Sequence, residues 1–150
     1  MRATARARGS DRATAVAVGR ALLARPLPAQ LTQVRCERLG QHRICGLVLS
    51  GVKFKRRLDR RGFLNEVREL ITGAFAQAPL EEVDLWTTVP LGTGAGVVVS
   101  GDLAVATAAT VFALTVPHAA LGGLDEKLAT GHDVFWDASF ADSLAKGTPP

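Results

Sequence analysis

The most regular pattern in the chain lies between residues 61 and 77. Phe63, Leu64, Val67, Leu70, Ile71, Ala74 and Phe75 recur at spacings of three and four, and Asn65, Glu66, Arg68, Glu69 and Thr72 fill the other side. This predicts an amphipathic helix with Asp59 as its N-cap, and Pro79 forbids its continuation. Glu66 and Glu69 fall on the polar face and are expected to be solvated. Gly73 costs about 1 kcal/mol relative to alanine inside a helix. Its presence points to close packing of this helix on a sheet.

Upstream, residues 31–39 and 42–54 read as the two arms of a β-hairpin joined by Gly40 and Gln41. Glycine at the first central position suits a type II′ turn. In the second arm Ile44, Leu47, Val48, Leu49, Val52 and Phe54 lie on both faces, which predicts an inner strand covered at least partly on both sides. Residues 82–91 alternate, with Val83, Leu85, Thr87 and Val89 opposing Asp84, Trp86 and Thr88; Pro90 ends the strand. Residues 97–99 read as a short strand, 100–102 as a turn, and 109–116 as a strand stopped by Pro117. Short helices are expected at 124–129 and after Asp137, the latter docking Trp136 and Phe140 on the core.

This order predicts an α+β fold. A four- to five-stranded antiparallel or mixed sheet carries one main helix, 61–77, on one face, with short C-terminal helices. A crossover through that helix makes the strands at 42–54 and 82–90 parallel. The 150 residues suit a single domain, placed at 31–150, with 1–30 as a basic arm or targeting-like leader. Within the leader three readings compete: a disordered arm, a targeting remnant, and a docked helix from Asp11 to Arg25 stopped by Pro26 and Pro28. The helix's apolar stripe is thin, which favours the arm.

The hairpin fixes the geometry of the two cysteines. With a two-residue loop at 40–41, Leu39 faces His42, Arg38 faces Arg43, Glu37 faces Ile44 and Cys36 faces Cys45. The cysteine pair falls at a non-hydrogen-bonded position, where facing side chains are closest, so a disulfide is permitted. A disulfide implies an oxidising compartment; the competing reading is two small buried thiols. Two cysteines at this spacing do not make a zinc site. Arg38 opposite Arg43 is unfavourable unless an acid or an anion sits between them.

Charge changes the picture because it is uneven. The net +4 divides into +12 over residues 1–61, from 15 bases and 3 acids, and −8 over residues 62–150, from 3 bases and 11 acids. Coding bias accounts equally well for the N-terminal arginines. Six cations, Lys53, Lys55, Arg56, Arg57, Arg60 and Arg61, crowd one loop and form the candidate anion- or partner-binding patch. Nucleic acid and an anionic membrane surface are its alternative ligands. Phe54 and Phe63, which flank it, are better explained as core than as base-stacking rings.

Catalytic signals are thin. Gly92, Gly94 and Gly96 precede three valines rather than a helix, so they read as a connection and not as a phosphate-binding loop. His42, His118 and His132 belong to no catalytic pattern. Glu66, Glu69 and Asp84 are the acids a metal-dependent hydrolase would use, but the strand lacks a partnering lysine. No metal or cofactor is expected, and no run of 18 apolar residues exists to cross a membrane. The reading is a non-enzymatic binding or assembly module with a protein partner or a second copy. It is exported or envelope-associated if the disulfide forms. The alternatives are a cytoplasmic nucleic-acid-associated protein acting through 53–61 and, last, a small metal-dependent hydrolase.

Overall fold

The computed structural model describes residues 8–25, 29–54, 58–90 and 108–145. The elements are β1 (Arg8–Ser10), α1 (Arg12–Leu23), β2 (Ala29–Leu39), β3 (His42–Phe54), α2 (Arg60–Gln77), β4 (Glu82–Pro90) and β5 (Ala108–Pro117). A 3₁₀ segment (His118–Gly123), α3 (Leu124–Thr130), β6 (Phe135–Trp136) and α4 (Ala138–Ala145) follow. The fold is α+β. Four long strands, β2 to β5, form a mixed sheet that β1 and β6 extend by two or three residues at either edge, in the spatial order β1-β2-β3-β4-β5-β6. The expected strand at 97–99, its turn at 100–102 and the glycine connection at 92–96 lie outside the described residues.

The hairpin forms with the register read from its turn. Leu39 pairs with His42, Arg38 with Arg43, Glu37 with Ile44 and Cys36 with Cys45. Gly40 has φ +67° and Gln41 does not share the positive φ, as a type II′ turn requires. β3 pairs parallel with β4, since α2 carries the chain back over the sheet between them. β4 and β5 pair antiparallel.

α2 buries Phe63, Val67, Leu70, Ile71 and Ala74 against the sheet side formed by Cys45, Leu47, Leu49, Val83, Leu85, Phe112, Leu114 and Val116. Each large apolar side chain removed from water there contributes about 1.5–3 kcal/mol before the entropy of ordering is deducted. Asp59 caps the helix by accepting from the Gly62 N–H at 2.7 Å. At the other end Ala78 is extended and Pro79 follows. The C-terminal segment docks as its aromatics predict. Phe63 meets Phe112, Phe140 and Trp136 at ring-centroid distances of 5.0, 5.4 and 5.8 Å. Asp137 caps α4 through the Phe140 N–H at 3.0 Å.

Residues 8–25, inside the stretch expected as an arm, are packed on the domain. α1 inserts Val18 and Leu22 into the core between β2 and α2. Its stripe is thin because its neighbours approach closely. A Cβ at Gly73 would stand 2.8 Å from Leu22 Cδ2, so this glycine makes room for α1, not for the sheet. Arg25 then closes the contact with a 2.9 Å ion pair to Glu69.

Candidate functional site

α1 and α2 occupy one side of the sheet. The alternation of each strand sends the remaining side chains to the other side, and among the described residues no helix covers them. Gln33, Arg35, Glu37 and Leu39 of β2 lie there, followed by Ile44, Gly46 and Val48 of β3 and Glu82, Asp84 and Trp86 of β4. Together they line a shallow groove of about 470 Å³. Beyond β4 the face continues over Ala113 and Thr115 to Phe135. Three large apolar side chains remain open to solvent on it: Leu39 (40%), Trp86 (38%) and Phe135 (52%).

Trp86 is seated by a glycine. Gly46 of β3 pairs with Asp84 and lies diagonal to Trp86, whose own partner is Val48, and a Cβ at Gly46 would meet the indole carbons Cζ3 and Cη2 at 2.6 and 3.1 Å. The six-membered ring of the indole therefore rests on the bare backbone of β3. Only glycine permits this approach.

Two and four residues before Trp86 on the same strand, and so on the same face, Asp84 and Glu82 form a carboxyl pair. The hydrogen bond that the protonated Glu82 carboxyl donates to Asp84, with partial burial and the adjacent negative charge, pushes the Glu82 carboxyl up from its ordinary 4.5 to about 7. Asp84 Oδ1 is buried and has no hydrogen-bond partner among the described residues. His42 and Glu81 close one end of the groove with an exposed 2.9 Å pair. The alternation of acids along β4 carried the signal for this pair, but it is indistinguishable in sequence from an ordinary solvated strand face.

The six cations of the 53–61 patch are not all seen together. Lys53 is the penultimate residue of β3, with its side chain outside the described residues, as are Lys55, Arg56 and Arg57 entirely. Arg60 and Arg61 open α2. Arg60 points to the C-terminal segment, with its guanidinium 5.7 Å from the centroid of the Trp136 ring and Nη2 donating to the Ala141 carbonyl at 3.3 Å. That contact ties α2 to α4.

Cys36 and Cys45 bring their sulfurs to bonding distance, 2.02 Å, on the helix side of the sheet, where both residues are buried. The facing arginines beside them have an acid between them, as electrostatics demanded. Asp11, whose side chain is 10% exposed, stands 3.1 Å from Arg43 Nε. Hydrogen bonds from the Thr14 hydroxyl and backbone, together with the charges of Arg43 and Arg38, hold its carboxyl below the usual range against the opposing effect of burial.

The acids expected to be solvated on α2 differ from expectation. Glu66 is buried, 3% exposed, and it has a partner. Glu69 is held by Arg25 and Arg68. Asp84 lies across the sheet from α2, so Glu66 and Asp84 do not converge. Among the described residues no three His, Cys, Asp or Glu side chains gather as metal ligands, and no helix is long and apolar enough to cross a membrane. Compared with protein-family models, curated proteins and solved structures, the chain matches none.

Proposed function

We propose that this protein is a small binding or assembly module whose working surface is the helix-free face of its sheet. The observation that supports this reading is Trp86. A tryptophan whose six-membered ring sits over the bare Gly46 backbone, 38% open to water, with Phe135 at 52% beyond Ala113 on the same face, gives an apolar surface beside the Glu82 and Asp84 carboxyls. Surfaces of this composition mark protein interaction sites, since tryptophan anchors are over-represented where partners dock. A photo-crosslinking residue at Gln33 or Thr115, in cells of the native source, is expected to give an adduct that the same residue at Asn65, on the outer side of α2, does not. Equal labelling at all three positions, or none, refutes the reading.

The exported version of this module rests on Cys36 and Cys45. Intact mass of the native protein under non-reducing conditions is expected to be two protons below the reduced mass. Free thiols there assign it to a reducing compartment.

A further inference from the structure

We propose that the groove on the helix-free face receives a cationic side chain, arginine before lysine, from the protein partner. The Trp86 indole forms its floor, and the Glu82 and Asp84 carboxyls supply its counter-charge. The inference rests on the binding-module reading and gives the partner its chemistry. Three observations converge on it. The first is charge. The β4 wall of the groove carries two adjacent carboxyls, whereas the cation within the groove, Arg35, stands on β2 and makes no ion pair among the described residues. The second is the orphaned oxygen. Asp84 Oδ1 is buried in the wall with no N–H or hydroxyl donor among the described residues, and once Glu82 gives up the proton of its hydrogen bond to Asp84 the carboxylate calls for another donor. The third is the platform. A guanidinium over an indole face gains from the ring quadrupole, and its planar fork of donors matches a carboxylate. Glycine at position 46 leaves room for the ring against the β3 backbone, and Asp84 lies on the same strand face two residues away.

The state of Glu82 fits a groove waiting for a cation. Arg35, the groove's own cation, makes no ion pair among the described residues, and the Glu82 carboxyl keeps its proton up to about pH 7. An arriving guanidinium displaces that proton, so binding strengthens as pH rises through 7. The charged groups around the pair are Asp84 on its own strand, Arg35 and Glu37 on β2, and His42 with Glu81 at the groove's end. Lys127 on α3 is engaged with the Thr115 carbonyl at 3.1 Å.

The test uses the whole chain and the blocked pentapeptide Thr-Val-Arg-Val-Thr, with Thr-Val-Gln-Val-Thr as its control. The readout is the indole N–H resonances, assigned to Trp86 and Trp136 by Trp86→Phe. The arginine peptide is expected to shift the Trp86 resonance saturably. Its affinity should fall at least tenfold on Glu82→Gln with Asp84→Asn and rise several-fold from pH 6 to pH 8. Arg35→Ala should leave the shift in place. Equal response to the glutamine peptide overturns the proposal, as does binding that survives loss of both carboxyls in variants whose thermal unfolding is unchanged. Loss of binding with Arg35→Ala overturns it too, because Arg35 would then be the contact. The two failures separate cleanly: crosslinks at Gln33 without arginine binding refute the cation alone, whereas arginine binding without crosslinks refutes the module reading.

Discussion

Replacing Glu82 by glutamine should stabilise the protein at pH 8 and leave it unchanged at pH 5. In the folded chain the Glu82 carboxyl ionises near 7 instead of at its ordinary 4.5. A carboxyl whose folded value is raised favours folding most below 4.5, and this advantage is lost as pH rises from 4.5 through 7. Above pH 7 the wild type holds two ionised carboxyls side by side. Converted directly, the displacement corresponds to about 3 kcal/mol; because the groove is open and screened, about 1–2 kcal/mol should survive. Glutamine keeps the size of the side chain and an N–H donor toward Asp84 but cannot ionise. Thermal unfolding followed by circular dichroism should therefore show the variant melting about 3–6 °C higher than wild type at pH 8 and level with it at pH 5. A variant no more stable than wild type at pH 8, or a gain that is the same at both pH values, refutes the coupling of the two carboxyls.

Reducing the Cys36–Cys45 pair should lower stability in denaturant by about 2–3 kcal/mol, the chain-entropy expectation for a loop this short, with the midpoint moving and the slope little changed. Asp11→Ala removes the α1 cap and leaves Arg43 facing Arg38, so it should cost about 1–2 kcal/mol at neutral pH. Since the Asp11 carboxyl lies below its ordinary 3.8, that cost is present above 3.8 and should shrink as acid protonates it. Phe63→Ala, at the centre of the aromatic cluster, should cost about 3–5 kcal/mol, and limited proteolysis should then cut near α4. Gly46→Ala should lift the Trp86 indole from its seat and shift its fluorescence, with little change at Trp136.

The elements readable from sequence are those whose signal is local. The hairpin register follows from counting outward from Gly40, and α2 follows from its own period. The docking of α1 was harder to read. Val18 and Leu22 make a thin stripe that suffices only because Gly73, some fifty residues away, leaves a gap for Leu22. Glu66 misled for a related reason. Its place in the helical period reads as polar surface, but burial is decided by what covers a helix, which periodicity does not report. The 53–61 patch was legible as charge but not as geometry, since Arg60 is spent on Trp136 and Ala141. The carboxyl pair was visible as alternating acids. The raised proton affinity of Glu82 depends on its hydrogen bond to Asp84 and on its own partial burial, properties of the folded face.

The strand order also bears on how the chain reaches this structure. Each strand is laid beside the one synthesised before it, with α1 between β1 and β2, α2 between β3 and β4, and the 3₁₀ segment and α3 between β5 and β6. No early strand has to wait for a late one to be inserted between earlier partners. The sheet can therefore grow in the order of synthesis. Cys36 and Cys45 meet within the first hairpin to form. Their oxidation requires only that hairpin, so the covalent link can be in place before β4 and β5 have left the ribosome or the export channel.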